Sequence, residues 1–320
     1  MPQPLILSLG SINADFQFRV PEPSGTGKTL PATGFARLGG GKAANVAFLA
    51  RKLGHPALLL GRTGDDELRE QALKPLRDAG VDLSALSSAP GTSTAVSMIT
   101  VPPDGKKSIV LAGNANDAWD EASMRAVVAR IGAAPEGSIL VADYEVAPEL
   151  VAQAVEAARQ RGLRVVLDPS PAPRAVPEVL GRATALSPNA SEAQDITGVT
   201  IEDPGSAAEA AARLAGFGAG IVCVKLSDGG CVLRHERRSL HIAALPVEVE
   251  DSTGAGDAFT GGLAVALLEG QEPLQAALFA TAASHLAVTA FGSQEAYPGR
   301  DRIEAMARQL EAQVRPLKAC

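Results

Sequence analysis

The sequence predicts an α/β fold in which helices cover both faces of a mostly parallel sheet, with a small β appendage beside it. Short apolar runs alternate with helical patterns from residue 139 onward, and repeated β–α units of this kind favour a parallel sheet. Residues 94–101 and 108–112 alternate in polarity around the turn sequence PPDG, which predicts a hairpin outside that sheet. Of the 320 residues, 46% are hydrophobic and 20% are charged, so a large core can form.

The first half of the chain opens with an apolar run, residues 5–9, that ends at Gly10 and predicts a buried central strand. Residues 16–20 alternate weakly and precede a stretch rich in proline and glycine, which suits an exposed hairpin. The segment GGGKAAN at residues 39–45 opens a predicted helix that runs to Arg51. The other predicted elements of this half are a strand at 57–61 and a helix at 64–79.

The second half carries the regular alternation of strands and helices. The predicted strands lie at 139–142, 163–167, 184–186 and 221–225, with a hairpin at 231–242. The predicted helices lie at 148–160, 207–215, 258–268 and 275–290. No long linker or internal repeat interrupts the pattern, so residues 1–320 are interpreted as one domain.

Composition narrows the classes of partner. The net charge is −7 and aromatic residues make up 3%, so neither a basic stripe nor a base-stacking surface is present, and nucleic acid is a poor partner. No apolar run is long enough for a membrane span. The three cysteines form no C-x-x-C pair and the N-terminal run lacks a charged leader, so we expect a reducing, cytoplasmic setting.

The segment EDSTGAGDAFTGG, residues 250–262, is the strongest candidate for a functional site. Gly254, Ala255 and Gly256 permit a tight turn at a helix start, where unpaired N–H groups and the helix dipole favour an anion. Asp257 then lies where a carboxylate can accept a proton beside that anion, as phosphoryl transfer requires. Taken alone, the motif fits a glycine-rich turn with an aspartate cap equally well.

Two further segments carry candidate binding residues. Asn13 and Asp15 follow the first strand, and ligands of open α/β sheets lie beyond the carboxyl ends of strands. Lys42 and Asn45 lie one turn apart at a glycine-rich helix start, which can hold a polyhydroxyl ligand. The segment GTGKT at 25–29 resembles the end of a P-loop, but Glu22 replaces the required glycine and a proline follows, so we reject that function.

Four segments in order, GSINAD at 10–15, GGGKAAN at 39–45, SPNASEA at 187–193 and DSTGAGD at 251–257, resemble the ribokinase-like (PfkB) carbohydrate kinase family. The resemblance spans residues 5–297. It implies a three-layer α/β/α, mostly parallel sheet with a small β-sheet lid at about 15–37 and 92–112, inserted in one kinase domain. It also implies a homodimer formed through the lid.

The resemblance assigns roles to single residues. It implies a sugar site at Asn13, Asp15, Gly40, Gly41, Lys42, Asn45, Glu145 and Asp257. It implies an ATP site at Asn189, Lys225, Ser227, Gly229, Gly254, Ala255, Gly256 and Gly292. Asp257 would be the catalytic base, with Gly254, Ala255 and Gly256 as the anion hole. Glu192 and Asn189 would handle Mg²⁺ through water, and Asp251 would bind K⁺ as an activator.

The activity implied is transfer of the γ-phosphoryl group of ATP to a primary hydroxyl of a small sugar, with D-ribose as the expected acceptor. Fructose, 2-keto-3-deoxygluconate and nucleosides remain alternative acceptors, and a sugar-binding regulator is the alternative without catalysis. A nicotinamide-dependent oxidoreductase is disfavoured because no G-x-G-x-x-G follows the first strand. Lys28, Asp168 and the loop at 225–228 depart from the family pattern, which leaves the exact sugar and some nucleotide contacts open.

Overall fold

A nine-stranded sheet forms the centre of the molecule. The computed structural model describes residues 3–23, 25, 27 and 29–317; Thr26 and Lys28 of the P-loop-like segment, and also Cys320, lie outside that part. The strands of this sheet are β1 (Ile6–Leu9), β4 (Ala57–Leu60), β9 (Ile139–Asp143), β10 (Arg164–Asp168), β11 (Ala185–Leu186), β12 (Ile221–Lys225), β13 (Cys231–His235), β14 (Arg238–Ile242) and β15 (Val314–Leu317). Their order is β15-β14-β13-β12-β11-β10-β9-β1-β4.

Six strands of the sheet, from β4 to β12, pair in parallel, and β13 to β15 continue it in antiparallel pairing. Parallel strands place their carboxyl ends at one edge of the sheet, where ligands of open α/β folds bind. The predicted α/β class, a mostly parallel sheet flanked by helices, is confirmed.

Helices cover both faces because both faces of the strands are apolar. In β1, Ile6 belongs to one hydrophobic core and Leu7 to the other, and both are fully buried. The helices on the Ile6 side are α1 (Lys42–Lys52), α2 (Leu68–Asp78), α8 (Ala255–Leu268), α9 (Pro273–Ala287) and α10 (Arg300–Glu311). Those on the Leu7 side are α3 (Glu121–Gly132), α4 (Pro148–Gln160), α5 (Pro177–Leu180), α6 (Ala190–Thr197) and α7 (Pro204–Gly216).

A second sheet of four strands lies over the carboxyl edge of the first. Its strands are β2 (Asn13–Arg19), β3 (Gly34–Gly40), β7 (Ala95–Val101) and β8 (Ser108–Ala112), in the order β3-β2-β7-β8. Alternation along β2 turns Asp15 and Gln17 inward and Phe16 and Phe18 outward, where the two rings lie against Phe35 of β3. β5 (Arg62–Thr63) and β6 (Ser87–Ser88) form a separate short pair.

Some element boundaries differ from the sequence-based expectation for a physical reason. The helix expected from residue 64 begins at Leu68, because the Asp66 side chain accepts hydrogen bonds from the backbone and hydroxyl of Thr94 instead of capping a helix there. Strands β3 and β15 and helices α3 and α10 were not predicted. Helix α8 begins at Ala255, within the GAGD segment itself.

Candidate active site

A cavity of about 780 Å³ lies between the carboxyl edge of the large sheet and the inner face of the second sheet. It brings together most of the predicted site residues: those lining it are Asn13, Asp15, Gly41, Lys42, Asn45, Glu145, Asn189, Glu192, Lys225, Ser227, Gly229, Gly254, Ala255, Gly256 and Asp257. Gly40, Asp251 and Gly292 lie outside this lining. The site therefore spans segments from both ends of the chain.

The start of helix α8 presents backbone donors to the cavity. Gly254 precedes the helix in a left-handed conformation, φ 73°, which residues with a side chain rarely adopt. A Cβ at this position would also lie 2.6 Å from the Ser293 Cβ, and the Tyr297 hydroxyl donates to the Gly254 carbonyl at 3.1 Å. The N–H groups of the first turn have no carbonyl one turn earlier, so they and the helix dipole can bind an anion.

Asp257 lies in this first turn and is held by two partners. Asn45 Nδ2 donates to Asp257 Oδ2 at 2.7 Å, and Lys42 Nζ lies 3.5 Å from Oδ1. Asn45 is itself positioned by Gln294, whose Nε2 donates to Asn45 Oδ1 at 3.0 Å. The carboxylate, 8% exposed, is thus fixed in orientation at the anion site while remaining open to the cavity.

Asp168, which the sequence analysis noted only as a departure from the family pattern, joins two lysines. Lys42 Nζ donates to Asp168 Oδ2 at 3.1 Å, and Lys225 Nζ lies 3.6 Å from Oδ1. Burial alone would raise the pKa of Asp168, but Lys225 and Lys42 more than offset burial and lower that pKa. Burial opposes the charge of Lys42, yet Asp168 and Asp257 raise the pKa of Lys42 well above its usual value. The Lys42 ammonium therefore stays charged beside the helix start.

Asp15, which was predicted for the sugar site, lines the same cavity in a different environment. Its Oδ1 is buried and has no hydrogen-bond partner within the described part of the chain. Burial, with smaller contributions from Glu145, Asp257 and Glu295, raises the pKa of Asp15 to about 7. A Cβ on Gly40 would lie 2.0 Å from Asp15 Oδ2, so the bare backbone of Gly40 is what admits this carboxyl. Asp15 therefore offers a free acceptor to a ligand.

Asn13 and Glu145, also predicted for the sugar site, have polar or buried surroundings. Asn13 donates to Ser97 Oγ at 3.2 Å and accepts from Asn116 Nδ2 at 2.9 Å, and Asn116 Oδ1 accepts the N–H of Ile12. Glu145 lines the cavity, and burial raises its pKa. Neither Ser97 nor Asn116 was predicted, because their proximity depends on the second sheet packing over β1.

The residues predicted for the ATP site include the start of α6 and the loop after β12, which line another part of the cavity. Asn189 Oδ1 accepts the Glu192 N–H at 2.8 Å, and Glu192 Oε2 accepts the Asn189 N–H at 2.8 Å. This capping box accounts for the spacing of three residues between Asn189 and Glu192. It forms the start of a helix and directs Glu192 toward the cavity. Ser227 and Gly229 line the same side, and His285, which was not predicted, lies against Gly229.

Asp251 and Gly292, predicted at the K⁺ and ATP sites, contact each other. The Gly292 N–H donates to Asp251 Oδ2 at 2.9 Å, and Gln17 Nε2 donates to the same oxygen. Asp251 Oδ1 accepts the N–H of Thr253 at 2.9 Å and the Thr253 hydroxyl at 2.7 Å. The fully buried carboxylate therefore ties the second sheet and the segment at 292 to the loop that leads into α8.

Three further observations concern the described residues alone. They contain no group of three or more His, Cys, Asp or Glu side chains arranged to hold a metal ion. None of their helices combines the length and apolarity that crossing a membrane requires. Cys223 and Cys231 are free and buried.

Comparison with known proteins shows which family shares this sequence and fold. The pfkB family carbohydrate kinase model matches residues 3–300. The ribokinase of Haemophilus influenzae is 32% identical over 292 residues, which cover 91% of this chain and 94% of that protein. The structure of Arabidopsis thaliana ribokinase complexed with ribose and ATP has a TM-score of 0.80 and 29% identity, and covers 96% of this chain and 99% of that one. The ribokinase of Thermotoga maritima has a TM-score of 0.81 and 27% identity.

An anion-binding helix start with a carboxylate in its first turn, on this α/β fold, defines a carbohydrate kinase. The chain belongs to the pfkB family of carbohydrate kinases.

Proposed function

We propose that this kinase transfers the γ-phosphoryl group of ATP to the 5-hydroxyl of D-ribose. The observation that carries the proposal is the position of Asp257, a carboxylate beside the first-turn N–H groups of α8 and in one cavity with Asp15. A proton acceptor, an anion site and a hydroxyl-binding carboxyl are the three groups that phosphorylation of a sugar alcohol requires. The similarity to ribokinases supports ribose as the acceptor.

The chemistry follows from these positions. Asp257 accepts the proton of the attacking hydroxyl as its oxygen forms a bond to the γ-phosphorus. The bond from that phosphorus to the bridging oxygen breaks, and its electron pair leaves with ADP. The N–H groups at the start of α8 stabilise the charge on the moving phosphoryl group. Lys42 holds Asp257 in place and adds positive charge beside it.

The residues present fit Mg²⁺ bound with ATP. Glu192 lines the cavity, and its capping bond to Asn189 involves Oε2, which leaves Oε1 for a water of the ion. Mg²⁺ retains several waters and is commonly held by phosphates with one or two carboxylates, so a single side chain suffices. When bound, the ion neutralises charge on the phosphate oxygens.

The Asp251 side chain does not fit the K⁺ that the resemblance implies. Its two oxygens accept four hydrogen bonds, from Thr253 twice, from Gly292 and from Gln17. N–H and O–H donors thus occupy the positions that a cation would take, and the Gln17 amide presents a partial positive charge there. We derive no catalytic step from K⁺.

The second sheet, as a lid, supports both closure and self-association. Its inner face supplies Asp15 and Asn13 to the cavity, so closing it over the sugar would exclude water. Its outer face exposes apolar side chains, among them Phe35, Met98 and Val110, at 56%, 45% and 73%. An apolar patch of this kind marks an interaction surface, and we propose that two lids pair there in a homodimer.

A screen of acceptors tests the substrate. ADP release is measured with D-ribose, 2-deoxyribose, fructose, 2-keto-3-deoxygluconate and adenosine at equal concentration, and kcat/KM is compared. The proposal predicts the highest kcat/KM for ribose, with the phosphate on the 5-oxygen by NMR. Faster turnover of fructose, the keto-acid or adenosine would overturn the ribose assignment, and ligand binding without ADP release would indicate a regulator.

A further inference from the structure

The turn between β7 and β8, residues 102–107, is fastened to the loop that leads into the anion site. The Gly105 carbonyl accepts hydrogen bonds from the Ser252 N–H at 3.2 Å and from the Ser252 hydroxyl at 2.8 Å. Gly105 has a φ of 71°, and a Cβ there would lie 2.7 Å from Val249 Cγ1, so only glycine lets the turn approach this closely. The tip of the second sheet therefore rests beside the residues that precede Gly254.

Lys107 projects from this turn into the cavity. Its Nζ donates to the Ser252 carbonyl at 2.7 Å, and its side chain lines the cavity together with Lys42, Lys225 and Gly256. An ammonium has three N–H donors, and Ser252 is the acceptor that the described residues provide. The other donors of a partly buried charge are thus left to a ligand.

The electrostatic surroundings of Lys107 also indicate an anionic ligand. Burial lowers the pKa of Lys107 below its usual value, Lys42 and Lys225 repel its charge, and Asp257 and Asp251 compensate only in part. A group carrying several negative oxygens at the start of α8 would supply acceptors for the free N–H groups and restore the charged form.

We propose that Lys107 binds the terminal phosphates of ATP, so that the second sheet completes the phosphate site when it covers the sugar. The inference rests on the proposed function, since it takes ATP as the ligand. It makes one sheet contribute to both substrates, with Asp15 facing the sugar and Lys107 facing the phosphates. Transfer to water is then suppressed, because the phosphate site is complete only when the lid is closed.

A purely mechanical role is the alternative that the test must separate. If Lys107 only ties the turn to Ser252, its loss would loosen the lid and weaken all ligands of the cavity to a similar degree. If Lys107 binds terminal phosphates, its loss would weaken nucleotides that carry them and spare AMP, which lacks them.

The experiment compares Lys107→Met with the wild type and with Lys74→Met, which removes an exposed lysine of α2 that lies outside the cavity lining. Calorimetry measures the Kd of a non-hydrolysable ATP analogue and of AMP. We expect Lys107→Met to weaken the analogue about ten- to a hundredfold, the usual loss for a hydrogen bond to a charged group. AMP affinity and ribose KM should stay unchanged, kcat should fall, and Lys74→Met should resemble the wild type.

Equal weakening of the analogue and of AMP, or no weakening of either, would overturn the inference. Melting temperatures check that the variant folds, and Lys107→Gln, which keeps a donor for Ser252 without the charge, replaces it if it does not. Lys107→Arg should recover part of the affinity for the analogue. Because these are binding measurements, a failure of the wild type to phosphorylate ribose would count against the acceptor assignment alone.

Discussion

At the scale of single residues, two carboxyl groups of one cavity have different surroundings. Asp257 receives a hydrogen bond from Asn45 and lies 3.5 Å from Lys42 Nζ, which fixes its orientation. Asp15 retains an unpartnered oxygen, and burial raises its pKa to about 7. The first arrangement suits a base that must point at one proton, and the second suits an acceptor awaiting ligand hydroxyls.

Asp15 should make ribose binding depend on pH. Its ionised form accepts hydrogen bonds from hydroxyls at both oxygens. Below a pH of about 7 the carboxyl is protonated, so one oxygen becomes a donor and the neutral group accepts more weakly. We therefore expect kcat/KM for ribose to fall as the pH is lowered through 7, by at most about tenfold per pH unit for one titrating group. Steady-state rates across this range, at saturating ATP, measure the effect.

Asp15→Asn is the matched control for this titration. It should raise the KM for ribose about ten- to a hundredfold and flatten the pH dependence around 7. Burial raises the pKa of Asp15 in the folded protein above its pKa in the unfolded chain. Asp15 therefore destabilises the ligand-free protein increasingly as the pH rises from the unfolded-state pKa to the folded-state pKa. For this reason Asp15→Asn should also melt at a higher temperature than the wild type at pH 8. An unchanged ribose KM in this variant would remove Asp15 from the sugar site.

The hydrogen bonds to the Asp251 carboxylate lead to a prediction about K⁺ and Na⁺. Since Gln17, Thr253 and Gly292 already donate to its carboxylate, we expect the same kcat in potassium and sodium buffers of equal ionic strength. Gln17→Met, which removes a donor but keeps the length of the side chain, should make the rate sensitive to K⁺. Strong activation of the wild type by K⁺ would mean that these donors are displaced and that the cation assignment from the resemblance was right.

At the scale of elements, the sequence predicted the turns and helix starts that neighbouring residues determine. Gly254 and Asp257 predicted an anion site, because neighbouring residues alone determine a glycine turn and a helix start. Helix α8 does begin there. Asp168, Lys107 and Asn116 were not predicted as site residues. Lys107 lines the cavity, whereas Asp168 and Asn116 contact residues that line it, and only the fold brings these distant segments together. Asn189 and Glu192 were predicted as a pair, but the capping box that they form is visible only in the side-chain hydrogen bonds of the structure.

The second sheet carries a prediction about assembly. If its outer face joins two copies, Val110→Lys would place a charge in the interface and convert the dimer to monomers. Sedimentation velocity of the wild type and the variant measures this, and circular dichroism checks that the variant folds. A wild type that sediments as a monomer at micromolar concentration would contradict the lid-mediated dimer.

At the scale of the whole molecule, the alternation of strands and helices was sufficient to predict the sheet class. It was not sufficient to predict the antiparallel extension through β15, which pairs with β14 across a long sequence separation. The two hydrophobic cores hold the carboxyl ends of the parallel strands at one edge, and the second sheet closes that edge. The cavity thus lies between the large sheet and a separate second sheet that covers it.

The central claim is that Asp257 is the base of a ribose kinase, and the kcat of Asp257→Asn tests it most directly. Asparagine keeps the shape of the side chain and an oxygen for the Asn45 amide, and no side-chain capping bond of α8 is lost, so the melting temperature and ribose KM should stay near those of the wild type. Removal of a general base should lower kcat for ribose-dependent ADP release about 10²–10⁴-fold. If Asp257 only holds Asn45 and Lys42 in place, the variant would instead retain nearly the full wild-type kcat, and that result would contradict the account.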